Sequence, residues 1–215
     1  MTHYYSIKKT DGHWHPEGHP KSWGRYARTA SDMRHAVDLC HARRTVIQAG
    51  GNIGAWPLWL SNEFSTVITF EPDETNYVCL KKNTEHIQNI FPHRAALSAK
   101  EGFMTLKLSK SIGSHHLTNE PGPVRVTKID SHAHSPVDLI VLDVEGAEYD
   151  ALTGGLETIR EYRPIIHMED RNHGINKGFG RTYQDILNLL PDYKEALRVG
   201  RDVVLEYRGF SGKNR

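Results

Sequence analysis

Residues 45–54, Thr45-Val46-Ile47-Gln48-Ala49-Gly50-Gly51-Asn52-Ile53-Gly54, followed by residues 66–72, Thr66-Val67-Ile68-Thr69-Phe70-Glu71-Pro72, carry the reading of the fold. A short apolar run ends in a glycine-rich turn, an amphipathic stretch follows, and a second apolar run ends in an acid. Thr45–Gln48 reads as a strand, Gly54–Glu63 as a helix and Thr66–Phe70 as the next strand, the signature of a parallel sheet with crossover helices. Glycines in such a turn let the backbone approach a ligand and bend sharply into the helix, although tight turns also use glycine for steric reasons alone.

Working outward, the same alternation continues. Asp73 caps a helix through about Asn83, and a third strand is expected near Phe91–Ala96. Phe103–Leu108 and Val124–Ile129 read as extended runs separated by a Ser/His/Gly/Pro-rich loop that could cover a pocket. Asp138–Asp143 is an apolar run bracketed by acids, as expected of a central strand ending at a cleft. A helix with Leu152, Leu156 and Ile159 on one face follows, then a strand over Pro164–Met168 and a helix after Thr182. Tyr193–Val199 and Val203–Tyr207 read as a closing antiparallel hairpin. Upstream, Ser31 is a candidate N-cap for a helix with Met33, Ala36, Val37 and Cys40 at helical spacing. Residues 1–29 show no sustained period and read as an irregular arm, residues 30–208 as one domain, and residues 209–215 as a flexible tail.

The composition bounds what such a domain does. With 215 residues the chain holds one substantial α/β core. Lys plus Arg (27) and Asp plus Glu (26) nearly cancel, so no global field draws it to nucleic acid. Cys40 and Cys79 form no CxxC pair, which argues against a disulfide framework or zinc knuckle and fits a reducing cytoplasm. No apolar run approaches the roughly 18 residues of a membrane span, and the N-terminus lacks an apolar signal region. The oligomeric state is not readable.

Glu71 lies about 20 residues after the glycines, where an acid in a Rossmann-type unit accepts hydrogen bonds from ribose hydroxyls. A dinucleotide site would prefer G-x-G-x-x-G, with a pyrophosphate on the helix N-terminus. The Gly50-Gly51-Asn52-Ile53-Gly54 loop instead suits a nucleoside ligand without phosphate, and S-adenosylmethionine is one. A nucleotide-sugar or NAD enzyme, and a Rossmann-like binding module without turnover, are the competing readings.

The chain resembles the FkbM family of methyltransferases over roughly residues 45–170. The resemblance rests on Gln48-Ala49-Gly50-Gly51-Asn52-Ile53-Gly54, on Phe70-Glu71-Pro72, on Arg94-Ala95-Ala96-Leu97-Ser98 and on Asp143-Val144-Glu145-Gly146-Ala147-Glu148. It implies a class I, mostly parallel seven-stranded sheet with helices on both faces. It also implies S-adenosylmethionine as cofactor and O-methyl transfer to a sugar or other small molecule. Gly50, Gly51, Asn52, Gly54 and Glu71 would then lie at the cofactor, and Ala96 and Ser98 near its adenine. Where relatives carry an acid at the end of the first strand this chain has Gln48, so charge pairing with the cofactor's ammonium is lost there while a hydrogen bond could remain. Gln48–Asn52 followed by Trp56-Pro57 is similar to a variant of phage and environmental-virus members, which would place the protein in a host cytoplasm.

Asp143 and Glu145, two residues apart, share a face if the extended conformation continues past the strand. Either could orient or deprotonate an acceptor hydroxyl, and Asp143 could also touch the cofactor. The other reading has Glu145-Gly146 merely turning the chain into the next helix while Asp143 bonds backbone amides. Of the 14 histidines, His115 and His116 lie in a loop able to reach the site, which makes His115 an alternative base. His167 precedes Glu169, which with Asp143 and Glu145 could make an oxygen-rich metal site, although none is assigned. Residues 1–29, 109–123 and 170–181 are the expected acceptor loops, with Trp14, Trp23, Tyr26, Asn172 and His173 as candidate lining.

Overall fold

Side-chain alternation along the central strands decides which layers they join. In a computed structural model, which describes residues 6–170 and 180–209, Val46, Leu139 and Val141 face one layer, while Ile47, Ala49, Ile140 and Leu142 face the other. Strands buried on both faces need a helical layer on each side, and the chain supplies both.

The chain begins with β1 (Ile7–Thr10), β2 (His13–Pro16), α1 (Ser22–Thr29), a 3-10 turn (Ala30–Met33) and α2 (Arg34–Leu39). It continues through β3 (Thr45–Ala49), α3 (Ala55–Leu60), β4 (Thr66–Phe70), α4 (Glu74–Thr84) and β5 (Ile90–His93). Four short strands follow, β6 (Ala96–Leu97), β7 (Gly102–Lys107), β8 (His116–Thr118) and β9 (Val124–Thr127). Then come β10 (Val137–Leu142), α5 (Glu148–Thr153), α6 (Leu156–Tyr162), β11 (Ile165–Glu169), α7 (Tyr183–Leu189), β12 (Tyr193–Val199) and β13 (Asp202–Tyr207).

The main sheet has the order β12-β13-β11-β10-β3-β4-β5. The strands from β5 to β11 run parallel, and β13 is antiparallel to both of its neighbours. After β5 the chain returns to the other side of β3, so the order reverses between β3 and β10. A doubly wound sheet opens its ligand crevice at such a switch point, beyond the carboxyl ends of the strands. The turns after β3 and after β10 both end there. β6 to β9 form a second sheet in the order β6-β9-β7-β8.

Several expectations are corrected. The arm over residues 1–29 is regular from Ile7 onward. Asp11 (φ 51°) and Gly12 (φ 83°) make a two-residue turn with both residues left-handed, the geometry that matches the twist of a hairpin. Ser31 lies inside the 3-10 turn and caps no helix; its hydroxyl donates to the Arg28 carbonyl. The segment expected as a strand over Phe91–Ala96 splits, with β5 in the main sheet and β6 in the second. The loop over 109–123 contains β8. The helix after Asp143 breaks at Gly154-Gly155, where a Cβ on Gly154 would stand 2.1 Å from the Ser98 carbonyl oxygen. Asp73 does cap α4, accepting from the Asn76 amide, and Thr182 forms a reciprocal capping box with Asp185. The 209–215 tail lies almost wholly outside the described residues, and the 171–179 part of the 170–181 loop, with Asn172 and His173, lies outside them as well. No helix among the described residues is long and apolar enough to cross a membrane.

Candidate active site

The turn after β3 is held by backbone. Gly50 and Gly51 both donate their amides to the Phe70 carbonyl, which ties the turn to the end of β4. Gly50 has φ 87°, and a Cβ there would stand 2.2 Å from the Asp143 carbonyl oxygen. The residue is therefore glycine for two independent reasons, a left-handed backbone and the closeness of the turn after β10. Gly54, at φ 99°, packs on Leu80 and Thr84 of α4 and does not line the cleft. Its glycine serves packing.

Around this turn lies a cleft, with about 780 Å³ of non-atom space within it and at its open mouth. Glu71 stands on its wall, buried, with each carboxylate oxygen met by a backbone amide. Oε2 accepts from Asn52 at 2.7 Å and Oε1 from Asp73 at 2.9 Å. Burial pushes its pKa up to about 8, against the opposing pull of those amides. Each oxygen retains a second lone pair for a ligand hydroxyl. The apolar walls are Phe70, Pro72, Ala96, Leu97, Leu106 and Leu117, with the second sheet supplying the last four. These fit a purine face, and the bare backbone at Gly50 and Gly51 leaves room for a close ligand.

Not every expected residue reaches the cleft. Gln48 is fully buried in the sheet; its carbonyl accepts from the Thr69 hydroxyl, its register partner on β4, and its amide donates to the Ala49 carbonyl. The amide that replaces the usual acid is thus consumed internally. Ser98 is buried away from the cleft, its hydroxyl against the Met104 sulfur, while its neighbours Ala96 and Leu97 do line it.

Asp143 and Glu145 both line the cleft, for a reason other than strand alternation. β10 ends at Leu142, and Glu145 (φ 58°) and Gly146 (φ 107°) form a left-handed turn. That turn is braced by Glu148, a buried side chain whose Oε1 accepts from the amides of Val144 and Gly146, both at 3.3 Å. Burial pushes the Glu148 pKa up to about 7. The bracing carboxylate is therefore Glu148, three residues beyond the candidates. Its sequence signal was the final acid of the D-x-E-G-x-E pattern.

His115 lines the cleft, but its Nδ1 accepts from the Ser109 amide at 3.0 Å. The neutral ring then carries its proton on Nε2 and has no lone pair left for a substrate proton. It is a donor rather than a base. Burial lowers its pKa, which favours that neutral form. The metal reading also fails among the described residues, where no group of three His, Cys, Asp or Glu side chains is placed to hold an ion. Glu145 and Glu169 line different recesses, with Asp143 between them.

Tyr26 was only a candidate for lining, yet it joins the arm to the site. A Cβ on Gly113 would stand 2.4 Å from its hydroxyl oxygen. Asn52 and Asn76 both donate to the Ile112 carbonyl, which anchors the loop between β7 and β8 over the cleft. Trp56 donates its indole N–H to the Tyr26 carbonyl. Asn83 receives the Trp14 amide and donates to the carbonyls of Trp14 and Ile53, tying the hairpin to the residues just after the glycine turn.

A glycine turn and an acid on adjacent parallel strands, facing a cleft at the switch point of a sheet closed by an antiparallel hairpin, define the class I methyltransferase architecture. The chain belongs to the methyltransferase FkbM domain family, which it matches over residues 48–197. It is similar to Methyltransferase 1 of Beauveria bassiana (strain ARSEF 2860), at 26% identity over 142 residues, 51% of this chain and 57% of that protein. In structure it is similar to methyltransferase FkbM from Methylobacillus flagellatus KT, with a TM-score of 0.54 at 21% identity, covering 77% of this chain and 43% of that one. A Streptococcus mutans protein solved in complex with SAH matches with a TM-score of 0.51 at 10% identity, over 82% of this chain and 95% of the other. The chain spans less than two thirds of the length of the first two proteins, and the structural likenesses speak to fold alone.

Proposed function

We propose that the protein uses S-adenosylmethionine to methylate a hydroxyl of a sugar or other small molecule. The observation that supports this best is that one cleft holds both amide-bound Glu71 and, across bare glycine backbone, Asp143. Glu71 would hold the ribose hydroxyls, the second sheet would cover the purine, and the Gly50–Asn52 backbone would hold the amino-acid end. When bound, the cofactor supplies a sulfonium methyl whose C–S bond breaks as the acceptor oxygen forms its C–O bond, leaving a neutral thioether. Asp143 orients the hydroxyl, takes its proton and passes it to solvent. Because the leaving group is already good, alignment and proton removal are the protein's main contributions.

Calorimetric titration of S-adenosylmethionine, paired with transfer of labelled methyl to a panel of sugars and polyols, tests the reading. Binding and transfer are expected, and Asp143→Asn is expected to lower turnover by about 10²-fold or more while the cofactor still binds. Unchanged turnover removes Asp143 as base. No cofactor binding at about 1 mM removes the enzyme reading itself.

A further inference from the structure

A second recess adjoins the cleft across a partition of Tyr26, Trp56, Gly113 and Asp143, which line both. The rest of its wall mixes Thr29, Met33, Ser111, Leu142 and His167 with four charged side chains. Asp32 comes from the 3-10 turn, Glu169 from the end of β11 and Asp202 from the start of β13, with Arg25 the only guanidinium among the described lining residues. Glu169 and Asp202 stand directly opposite one another in the antiparallel register. Like charges in that position destabilise a sheet. Burial, followed by the charges of Glu169 and Asp32, pushes the Asp202 carboxyl up to about 6. Arg201, largely exposed, lies 3.9 Å from Glu169, where solvent screens the pair.

The recess also contains a polar group without a partner. His167 is 3% exposed on β11, and among the described residues neither of its ring nitrogens has a hydrogen-bond partner. A buried imidazole left this way costs stability, and a neutral one offers one donor and one acceptor, the complement of a hydroxyl. Clustered carboxylates favour a cation, and the aromatic residues Tyr26 and Trp56 beside them add to that preference. The same carboxylates repel phosphate or carboxylate on a ligand.

We propose that this recess is the acceptor site, and that it selects an acceptor carrying a protonated amine beside its hydroxyls, the class of amino sugars and amino alcohols. The amine docks against the facing carboxylates of Glu169 and Asp202, with Asp32 adding negative charge to the same recess, a hydroxyl bonds one ring nitrogen of His167, and the hydroxyl to be methylated lies at Asp143 on the partition. The proposal rests on the methyl-transfer reading for the role of the recess, whereas the preference for an amine stands on the recess alone.

Binding of glucosamine, glucose and glucuronate to the full chain, followed by calorimetry and ligand-observed NMR, tests it. Glucosamine is expected to bind at least about tenfold more tightly than either of the others, the effect of roughly one ion pair. In the Glu169→Gln/Asp202→Asn double variant that advantage should shrink to within about threefold, with S-adenosylhomocysteine affinity kept and the melting temperature not lowered. Glucose or glucuronate binding as tightly as glucosamine overturns the proposal, as does an advantage that survives the double substitution or no glucosamine binding at about 50 mM. If glucosamine is selected while S-adenosylmethionine does not bind, the methyl-transfer reading falls and the amine site stands.

Discussion

Around Glu71 both carboxylate oxygens are met by backbone amides, whereas around His167, in the adjoining recess, neither ring nitrogen is met by any of the described residues. The half proposed to hold the cofactor is made of consecutive residues. Gly50, Gly51 and Asn52 follow one strand, Glu71 and Asp73 the next, and short hydrogen bonds lock the two turns to each other. The recess proposed as the acceptor half is made of side chains from α1, the 3-10 turn, β11 and β13, drawn together from opposite ends of the chain. A half built from backbone is complete before its ligand arrives. A half built from like charges and an unmet imidazole carries a cost that a matching ligand relieves, and that is how specificity and instability come to share one place.

The largest expected effect strikes the backbone-built half. Gly50→Ala puts a Cβ 2.2 Å from the Asp143 carbonyl oxygen at a positive φ. It should destabilise the fold by about 3 kcal/mol and weaken S-adenosylmethionine by about a hundredfold or more, as read by urea unfolding and calorimetry. Normal cofactor binding in this variant would show that the turn is not as rigid as its contacts imply.

A middle-sized effect should strike both halves together. Asn83→Ala removes three hydrogen bonds that tie Trp14 and Ile53 to α4, and with them the seating of the arm that carries Tyr26 into both recesses. A loss of about 2 kcal/mol is expected, with faster proteolysis of the arm and weaker binding at both sites. If only stability changes, Tyr26 does not couple the halves.

The smallest effect separates them by pH. Glu71, with a pKa of about 8, keeps its proton in the folded protein well above the ordinary carboxylate range. The stability of the ligand-free protein should therefore decline as pH rises from about 5 to 8. His167 shows the opposite sign. Burial holds it down to about 4, so an unfolded chain takes up its proton first and stability is lost as pH falls from about 6.5 towards 4. Melting temperature against pH should show both limbs, with Glu71→Gln flattening the upper one and His167→Gln the lower. Two limbs that survive their respective substitutions would assign the titrations elsewhere, with Glu148 the first candidate for the upper limb.

Most of the scaffold was legible because its signals are local. Asp73 and Thr182 announce helix starts through side chains that reach an amide three residues on. The apolar runs at 45–49, 66–70 and 137–142 are buried on both faces, and they read as such without any knowledge of their neighbours. The hairpin at Asp11-Gly12 was missed because the aromatic, histidine-rich sequence around it shows no sustained alternation. Glu145 misled because a left-handed non-glycine residue breaks the alternation on which the two-residue spacing depended. Gln48 was expected at the cofactor because of where it sits in the chain, and Thr69 across the strand claimed its side chain instead.

The sequence by itself determined the doubly wound core, the glycine turn, Glu71 and the acids after β10, since each depends on residues a few positions apart obeying strand, turn and capping geometry. Tertiary structure decided that Gln48 and Ser98 face inward, that His115 donates, and that Tyr26 partitions the cleft. It also brought Asp32, His167, Glu169 and Asp202 to one recess. Those outcomes depend on which side chains meet across the sheet and on what burial then does to their charges and hydrogen bonds, and no local spacing encodes either.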